Sequence, residues 1–185
     1  MSAQANAVPF TRDRNLVGIA LFIGSESLFF LGLVIAYLVL RERGLATAKM
    51  QLDVGRTALF SVLLFASSGT VGLATARRSR AWLGLTALLG AAFLAGQGLE
   101  YARLLGAGVR PGSELFGTTF FTLTGLHAVH VLVGLVLLVT LLAAAAARPR
   151  RLGNGAWEGI AMYWHFVDAV WVVVFSVVYL GTLVG

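Results

Sequence analysis

The 185-residue chain has no cysteine, only three prolines and few charged residues. The lack of cysteine excludes disulfides, thiolate copper sites, c-type haem attachment and cysteine-ligated iron–sulfur clusters. Charged residues make up 12% of the chain, about half of the ~25% that a soluble domain carries. With 58% hydrophobic residues and a mean hydropathy of +0.87, the composition excludes a water-soluble globular protein, a disordered chain and a nucleic-acid-binding module.

The few charges and prolines lie mainly between five apolar runs. We place these runs at residues 16–40, 57–76, 82–105, 118–147 and 159–184, and each is long enough to cross a hydrocarbon core of ~30 Å as a helix. All three prolines lie outside the runs, and only four charged residues lie inside them. A membrane span must satisfy its backbone hydrogen bonds internally, and the alternating pattern of a barrel is missing. The sequence therefore predicts an all-α polytopic membrane protein, a bundle of five transmembrane helices forming one membrane domain over residues 1–185.

The basic residues of the connections predict the orientation. With the N-terminus inside, eight arginines lie on the inner side, and six basic residues lie on the outer side. This bias favours a cytoplasmic N-terminus and a periplasmic C-terminus, and the excess positive charge suits anionic lipid headgroups. The first run is longer than the apolar part of a signal peptide, and the segment before it is too short for a transit peptide. We therefore expect a bacterial inner membrane location.

Two carboxyls and all three histidines are predicted to lie deep in the membrane. At 1.5 Å per residue, Glu26 and Asp168 lie roughly 15 Å from the ends of their runs, near the midplane. A charged group there costs ~3 kcal/mol, so each is expected to face a partner, a cavity or water. His127 and His130 are spaced to share one face of the fourth run, and His165 is spaced to share a face with Asp168.

These patterns leave several roles open. Glu100, one turn from Arg103, forms either an interfacial ion pair or part of a chemical site. The histidines of the fourth run either brace helices by hydrogen bonds or ligate a group, and Asp168 either pairs with His165 or serves as a site. A bis-His haem b would use His165 with one histidine of the fourth run. A transporter with intramembrane proton sites is disfavoured because the spans contain no proline and no repeat.

Three segments resemble subunit III of the haem–copper respiratory oxidases. Residues 25–30 read Ser-Glu-Ser-Leu-Phe-Phe, and residues 163–171 read Tyr-Trp-His-Phe-Val-Asp-Ala-Val-Trp. Residues 116–134 contain Phe-Gly-Thr-Thr-Phe-Phe followed by Thr-Gly-Leu-His-Ala-Val-His-Val and a final glycine. The segment from Gln97 to Tyr101 is a weaker match. The order holds from Glu26 to the C-terminus, and the chain is similar to the short five-helix form, because many members have seven helices.

The resemblance implies a non-redox accessory subunit of a proton-pumping terminal oxidase that reduces oxygen to water. Such a subunit packs beside catalytic subunit I and other oxidase subunits, holds structural phospholipid in an interhelical cleft and supports proton uptake. Haem and copper are then expected in the partner, with no metal and no catalytic residue in this chain. Glu26 and Asp168 are implied to be buried, proton-linked acids. The residues implied to line the lipid cleft or brace the bundle are Glu100, His127, His130, Tyr163, Trp164, His165 and Trp171.

Two other assignments of function stay open. One is a subunit III-like accessory protein of a quinol oxidase or a nitric-oxide reductase, because a single sequence does not identify the electron donor or the substrate of the complex. The other, from a different class, is a small b-type cytochrome that carries electrons itself through two of its histidines.

Overall fold

A computed structural model of the chain describes residues 11–112, 114–147 and 153–184. These residues form helices joined by short connections, and no strand occurs among them. The main helices, in chain order, are α1 Thr11–Leu40, α2 Leu45–Gln51, α3 Val54–Arg77, α4 Arg80–Gly106, α5 Leu115–Ala147 and α6 Asn154–Phe175. A π-helical stretch, Ser176–Leu180, continues α6 into the short helix α7 Gly181–Val184.

Five of these helical segments are long and apolar enough to cross a membrane: α1, α3, α4, α5 and the combined segment Asn154–Leu183. The predicted all-α fold with five membrane-spanning helices is therefore confirmed. Large apolar side chains are exposed along their outer faces, among them Leu21, Leu28, Leu88 and Val136. Such a surface is unsuited to water and matches lipid.

The long helices do not contribute equally to the bundle. α3 and α4 form a hairpin, α4 packs on α5, and α6 packs on both α3 and α5. α1 packs against α5 and α6. Only 11% of the residues in its apolar stretch are buried, against 44% of those in the apolar stretch of Asn154–Leu183. α6 is thus the central helix, and α1 is a peripheral helix laid along the α5–α6 pair.

Trp164 fixes the spacing of four helices at the centre of the bundle. Its side chain on α6 is fully buried, and its indole Nε1 donates a hydrogen bond to Ser67 Oγ of α3 at 2.8 Å. A Cβ atom at Gly90 of α4 would lie 2.6 Å from the indole, and one at Gly134 of α5 would lie 2.8 Å from it. Only glycine therefore allows these helices to approach the ring so closely.

The connection between the first two spanning helices, residues 41–56, is largely helical. A 3₁₀ turn at Arg41–Gly44 leads directly into α2. Asp53 then caps α3, because its Oδ1 accepts a hydrogen bond from the Arg56 backbone N–H at 2.9 Å. The Arg41 guanidinium donates to the Gly181 carbonyl oxygen at 3.1 Å, so this connection also holds the C-terminal helix.

Candidate functional site: a carboxyl–imidazole pair beside an apolar cleft

A carboxyl–imidazole pair links α1 to α5. Glu26 Oε2 on α1 lies 3.1 Å from His130 Nε2 on α5. The other ring nitrogen, His130 Nδ1, lies 2.8 Å from the carbonyl oxygen of Leu126 on its own helix. Tyr163 on α6 donates its hydroxyl to the His130 backbone carbonyl at 3.1 Å. Three helices therefore meet at this pair.

The partners of His130 determine how many protons the pair holds. A carbonyl oxygen only accepts hydrogen bonds, so Nδ1 carries a proton and donates it to Leu126. One further proton lies between Nε2 and Glu26, either on the carboxyl of a neutral pair or on the imidazole of an ion pair. The net charge is zero in both states, which lowers the cost of placing an acid at this depth.

An apolar cleft begins one helical turn from the pair. It lies between α1, α5 and α6 and has a volume of about 740 Å³, within the ~300–1,000 Å³ range of ligand pockets. Its walls carry apolar side chains and three glycines, with the Tyr163 ring nearest the pair. The wall residues include Gly18, Ile19, Phe22, Val133, Gly159 and Ile160. On the other side of Glu26 along α1, a second groove of about 310 Å³ runs past Ser27 and Phe30.

His127 has a different environment, although it is only three residues from His130. Its side chain is 1% exposed and stacks on Trp171 of α6, with ring centroids 4.8 Å apart. Phe93 on α4 packs against the same ring in a T-shaped arrangement, with ring centroids 6.1 Å apart. Trp171 in turn donates its Nε1 to Ser61 Oγ of α3 at 2.8 Å. His127 and Trp171 therefore lie in the core, where α3, α4, α5 and α6 meet.

His165 and Asp168 lie where α6 packs on α3. His165 is exposed, and its Nδ1 lies 2.7 Å from Ser68 Oγ of α3. Asp168 is 5% exposed, and neither carboxyl oxygen has a hydrogen-bond partner among the described residues, although the Ser68 side chain approaches it. His165 thus bonds to α3 in place of the Asp168–His165 hydrogen bond that the spacing allowed.

The ion pair expected for Glu100 and Arg103 is present at one end of α4. Arg103 Nη2 lies 2.6 Å from Glu100 Oε1, and the same nitrogen also donates to the Gln51 carbonyl. The Asp53 backbone N–H donates to Glu100 Oε1 at 3.5 Å. This cluster fastens the connection before α3 to the end of α4.

The predicted site residues therefore fall into separate places. Glu26, His130 and Tyr163 come together beside the cleft, whereas the other predicted residues lie in the core, at the α3–α6 contact or at the end of α4. Sequence reasoning passed over the serines of α3 that bind α6, namely Ser61, Ser67 and Ser68. A signal exists for two of them, because Ser61 and Ser68 are seven residues apart within an apolar run, whereas Ser67 lies outside that spacing.

The three histidines do not converge on one position. No hydrogen bond or ring contact joins His165 to His127 or His130 within the described part of the chain. Across residues 11–112, 114–147 and 153–184, no group of three His, Cys, Asp or Glu side chains is placed to hold a metal ion. A bis-His haem needs two imidazoles facing an open space, whereas His127 is packed between the rings of Phe93 and Trp171.

Comparisons with known proteins agree with the resemblance seen in the three segments. The model of the family "Cytochrome c oxidase subunit III" matches residues 55–182. The cytochrome c oxidase subunit 3 of Corynebacterium diphtheriae is 36% identical over 88% of this chain and 86% of its own length. That of Bacillus sp. PS3 is 34% identical over 98% of this chain and 96% of its own length. The cytochrome bo(3) ubiquinol oxidase subunit 3 of Pseudomonas aeruginosa is 33% identical over 88% and 83%. With a match of this extent and five membrane-spanning helices, the chain belongs to the cytochrome c oxidase subunit III family.

Proposed function

We propose that this chain is a non-catalytic accessory subunit of a proton-pumping terminal oxidase in a bacterial inner membrane. Family membership makes it a subunit of a haem–copper oxidase, an oxidoreductase complex that contains other oxidase subunits. The proposal adds three properties: the chain binds phospholipid in the cleft between α1, α5 and α6, it supports proton uptake through Glu26, and it stabilises catalytic subunit I. Its N-terminus is proposed to face the cytoplasm.

The observation that carries this proposal is the Glu26–His130 pair beside an apolar cleft. The cleft opens between a peripheral helix and the bundle, and its walls are apolar, so acyl chains suit it better than a polar substrate. The pair joins a carboxyl to an imidazole within two helices that are long and apolar enough to span the membrane. An apolar cleft next to a carboxyl–imidazole pair supports both the lipid-binding and the proton-uptake parts of the proposal.

The environment of the histidines supports a subunit without its own redox centre. His130 uses both ring nitrogens in hydrogen bonds to Glu26 and Leu126. His127 is packed against Trp171 and Phe93, and His165 binds Ser68. Haem and copper then belong to the catalytic partner, and this chain contributes packing, lipid and a proton-holding pair. Asp168 is proposed, like Glu26, to be a buried acid linked to proton uptake.

Filling the cleft tests the lipid-binding part of the proposal. A Cβ atom at Gly18 meets nothing within 4 Å, so the ring of a Gly18→Phe variant can enter the cleft without disturbing the fold. We expect this variant to assemble normally and to retain fewer phospholipids per complex, measured by native mass spectrometry of the purified oxidase. Gly24→Phe is the matched control, because Gly24 is equally open on α1 but does not line the cleft. Equal lipid retention in both variants would contradict lipid binding at this cleft.

A second candidate function differs in the electron donor. The Pseudomonas aeruginosa relative is named a ubiquinol oxidase subunit, whereas the other two relatives are named cytochrome c oxidase subunits. The assignment to a cytochrome c oxidase is expected to give turnover with reduced cytochrome c in the purified complex. Turnover with a quinol alone would assign the chain to a quinol oxidase.

A further inference from the structure

The two halves of α1 are attached to the bundle to different degrees. Residues 30–40 form an anchored half, in which three side chains are no more than 6% exposed: Phe30, Val34 and Tyr37. Towards the N-terminus the attachment is weaker, because none of the described residues 17–29 is buried. We call residues 17–23 the α1 flap. The bundle therefore holds the anchored half of α1 more tightly than the flap.

The flap forms one wall of the cleft between α1, α5 and α6, through Gly18, Ile19 and Phe22. Two contacts with α6 keep this wall in place. The Phe22 ring stacks on Tyr163, with ring centroids 6.4 Å apart. Ile19 lies against Gly159, where an added Cβ atom would meet Ile19 Cδ1 at 2.6 Å. Both contacts are apolar, and acyl chains can replace them at little cost, because lipid tails are as apolar as these side chains.

The boundary between the flap and the anchored half has the composition of a helix hinge. Residues 24–27 read Gly-Ser-Glu-Ser. Glycine has more backbone freedom than any other residue, and kinks in long helices occur at Gly/Ser pairs. Both serine hydroxyls bond back to carbonyls of α1, from Ser25 to Phe22 and from Ser27 to Ile23. Bonds of this kind slightly destabilise a helix and often bend it.

The Glu26–His130 pair lies within this hinge. Glu26 Oε2 is 3.1 Å from His130 Nε2 on α5. One turn further along α1, Phe30 packs against the same imidazole in a T-shaped arrangement, with ring centroids 5.0 Å apart. These contacts fix residues 26–30 to α5 and leave the flap outside the fixed part. The pair is therefore placed to hold a pivot, about which the flap can move while α1 stays attached.

We propose that the α1 flap is a movable wall of the cleft, which turns about residues 24–27, swings away from α6 to admit the acyl chains of a phospholipid and closes on them. The apolar walls of the cleft suit this ligand, and the apolar contacts of the flap are those that an acyl chain can replace. The flap then sets the rate at which the cleft exchanges phospholipid. This inference rests on the lipid binding proposed above.

Distances between spin labels measure the movement of the flap. The chain has no cysteine, so two introduced cysteines carry the only labels. Leu21→Cys with Val136→Cys reports on the flap, and Val39→Cys with Thr122→Cys is the matched pair on the anchored half; all four positions are exposed. For the full chain in detergent, we expect a broad distance distribution from the flap pair that narrows when dioleoylphosphatidylglycerol is added. The control pair should give a narrow distribution throughout. Equal widths for the two pairs in detergent would overturn the proposal.

Two glycines of α1 allow a matched test of the hinge. Gly24 and Gly32 are both exposed, and a Cβ atom at either would meet nothing within 4 Å. Gly24→Ala stiffens the hinge and is expected to slow phospholipid exchange about four- to fivefold, the difference in helix propensity between the two residues expressed as an equilibrium constant. Gly32→Ala, in the anchored half, should leave the rate unchanged. Native mass spectrometry after addition of deuterated dioleoylphosphatidylglycerol measures the rate, and equal rates for the two variants would contradict a hinge at residues 24–27.

A reversible disulfide between the flap and α6 connects the movement to lipid exchange. Ile19→Cys with Gly159→Cys places two thiols where the flap contacts α6. After oxidation, we expect exchange of deuterated dioleoylphosphatidylglycerol to be lost, and reductant should restore it. Each single-cysteine variant is the control and should exchange equally with and without reductant. The same exchange rate in the oxidised and reduced double variant would overturn the proposal.

The wild-type protein separates failure of the flap from failure of the proposed function. If the wild-type complex retains no more phospholipid than the Gly18→Phe variant, lipid binding at the cleft fails, and the flap proposal fails with it. If the wild-type complex retains and exchanges phospholipid but the oxidised double-cysteine variant exchanges it equally fast, only the flap proposal fails.

Discussion

Trp171→Ala is expected to lower the free energy of unfolding by about 3–5 kcal/mol, the usual cost of removing a buried tryptophan. The side chain is fully buried, donates its indole N–H to Ser61 and stacks on His127. Its removal opens a cavity between four helices and leaves Phe93 as the one ring contact of His127 among the described residues. Thermal unfolding of the purified full chain in detergent, followed by circular dichroism, measures the effect.

Two control variants divide this effect into its parts. Ser61→Ala removes the acceptor of the indole N–H together with the bond that the Ser61 hydroxyl donates to the Thr57 carbonyl. It is expected to cost about 1–3 kcal/mol, chiefly the penalty for a buried donor left without a partner. Trp82→Ala removes a tryptophan that is only partly buried on α4 and is expected to cost less than Trp171→Ala. If Trp82→Ala and Trp171→Ala had equal effects, Trp171 would not be the brace that its position indicates.

Glu26→Leu is expected to destabilise the chain by about 1–3 kcal/mol, because His130 Nε2 then lacks its hydrogen-bond partner inside the membrane. Glu26→Gln should be close to neutral, since its amide N–H can donate to the same nitrogen. Ser27→Ala is the control on α1, because the Ser27 hydroxyl donates only to the Ile23 carbonyl of its own helix. Thermal unfolding of the three variants is the measurement. Equal stability of the Leu and Gln variants would show that the pair contributes no hydrogen bond.

The Glu26→Gln variant also tests whether the Glu26 carboxyl takes part in proton uptake. Glu26→Gln preserves the contact but removes the carboxyl that shares a proton with His130. We expect its complex to assemble with normal haem content and to show a changed pH dependence of oxygen-reduction rate or of inactivation during turnover. An unchanged pH profile and an unchanged lifetime would assign Glu26 to packing alone.

Hydropathy was sufficient to predict the five spanning helices, but their ends were less accurate. The predicted runs begin at residues 82 and 118, whereas α4 begins at Arg80 and α5 begins at Leu115. Backbone hydrogen bonding does not stop where apolar side chains stop, because polar helix ends are solvated at the membrane interface. α2 was missed for a related reason: a seven-residue helix in a polar connection produces no long apolar run.

The site was harder to predict because spacing gives a shared face only approximately. Residues three apart on a helix are offset by about 60° around the axis. That offset directs His127 to Trp171 in the core and His130 to Glu26 on α1. The same offset leaves His165 exposed and Asp168 buried. The Glu26–His130 contact joins residues 104 positions apart, and only the packing of α1 on α5 creates it.

Haem content and subunit composition after affinity purification through this chain test its assignment as a non-redox accessory subunit. We expect a haem–copper catalytic subunit to co-purify with the chain and to carry all the haem of the complex. We also expect that the chain, once separated from that subunit, shows no Soret absorption. If no haem-containing subunit co-purified with the chain, or if the chain kept a Soret band after separation, its assignment as a non-redox accessory subunit would be contradicted.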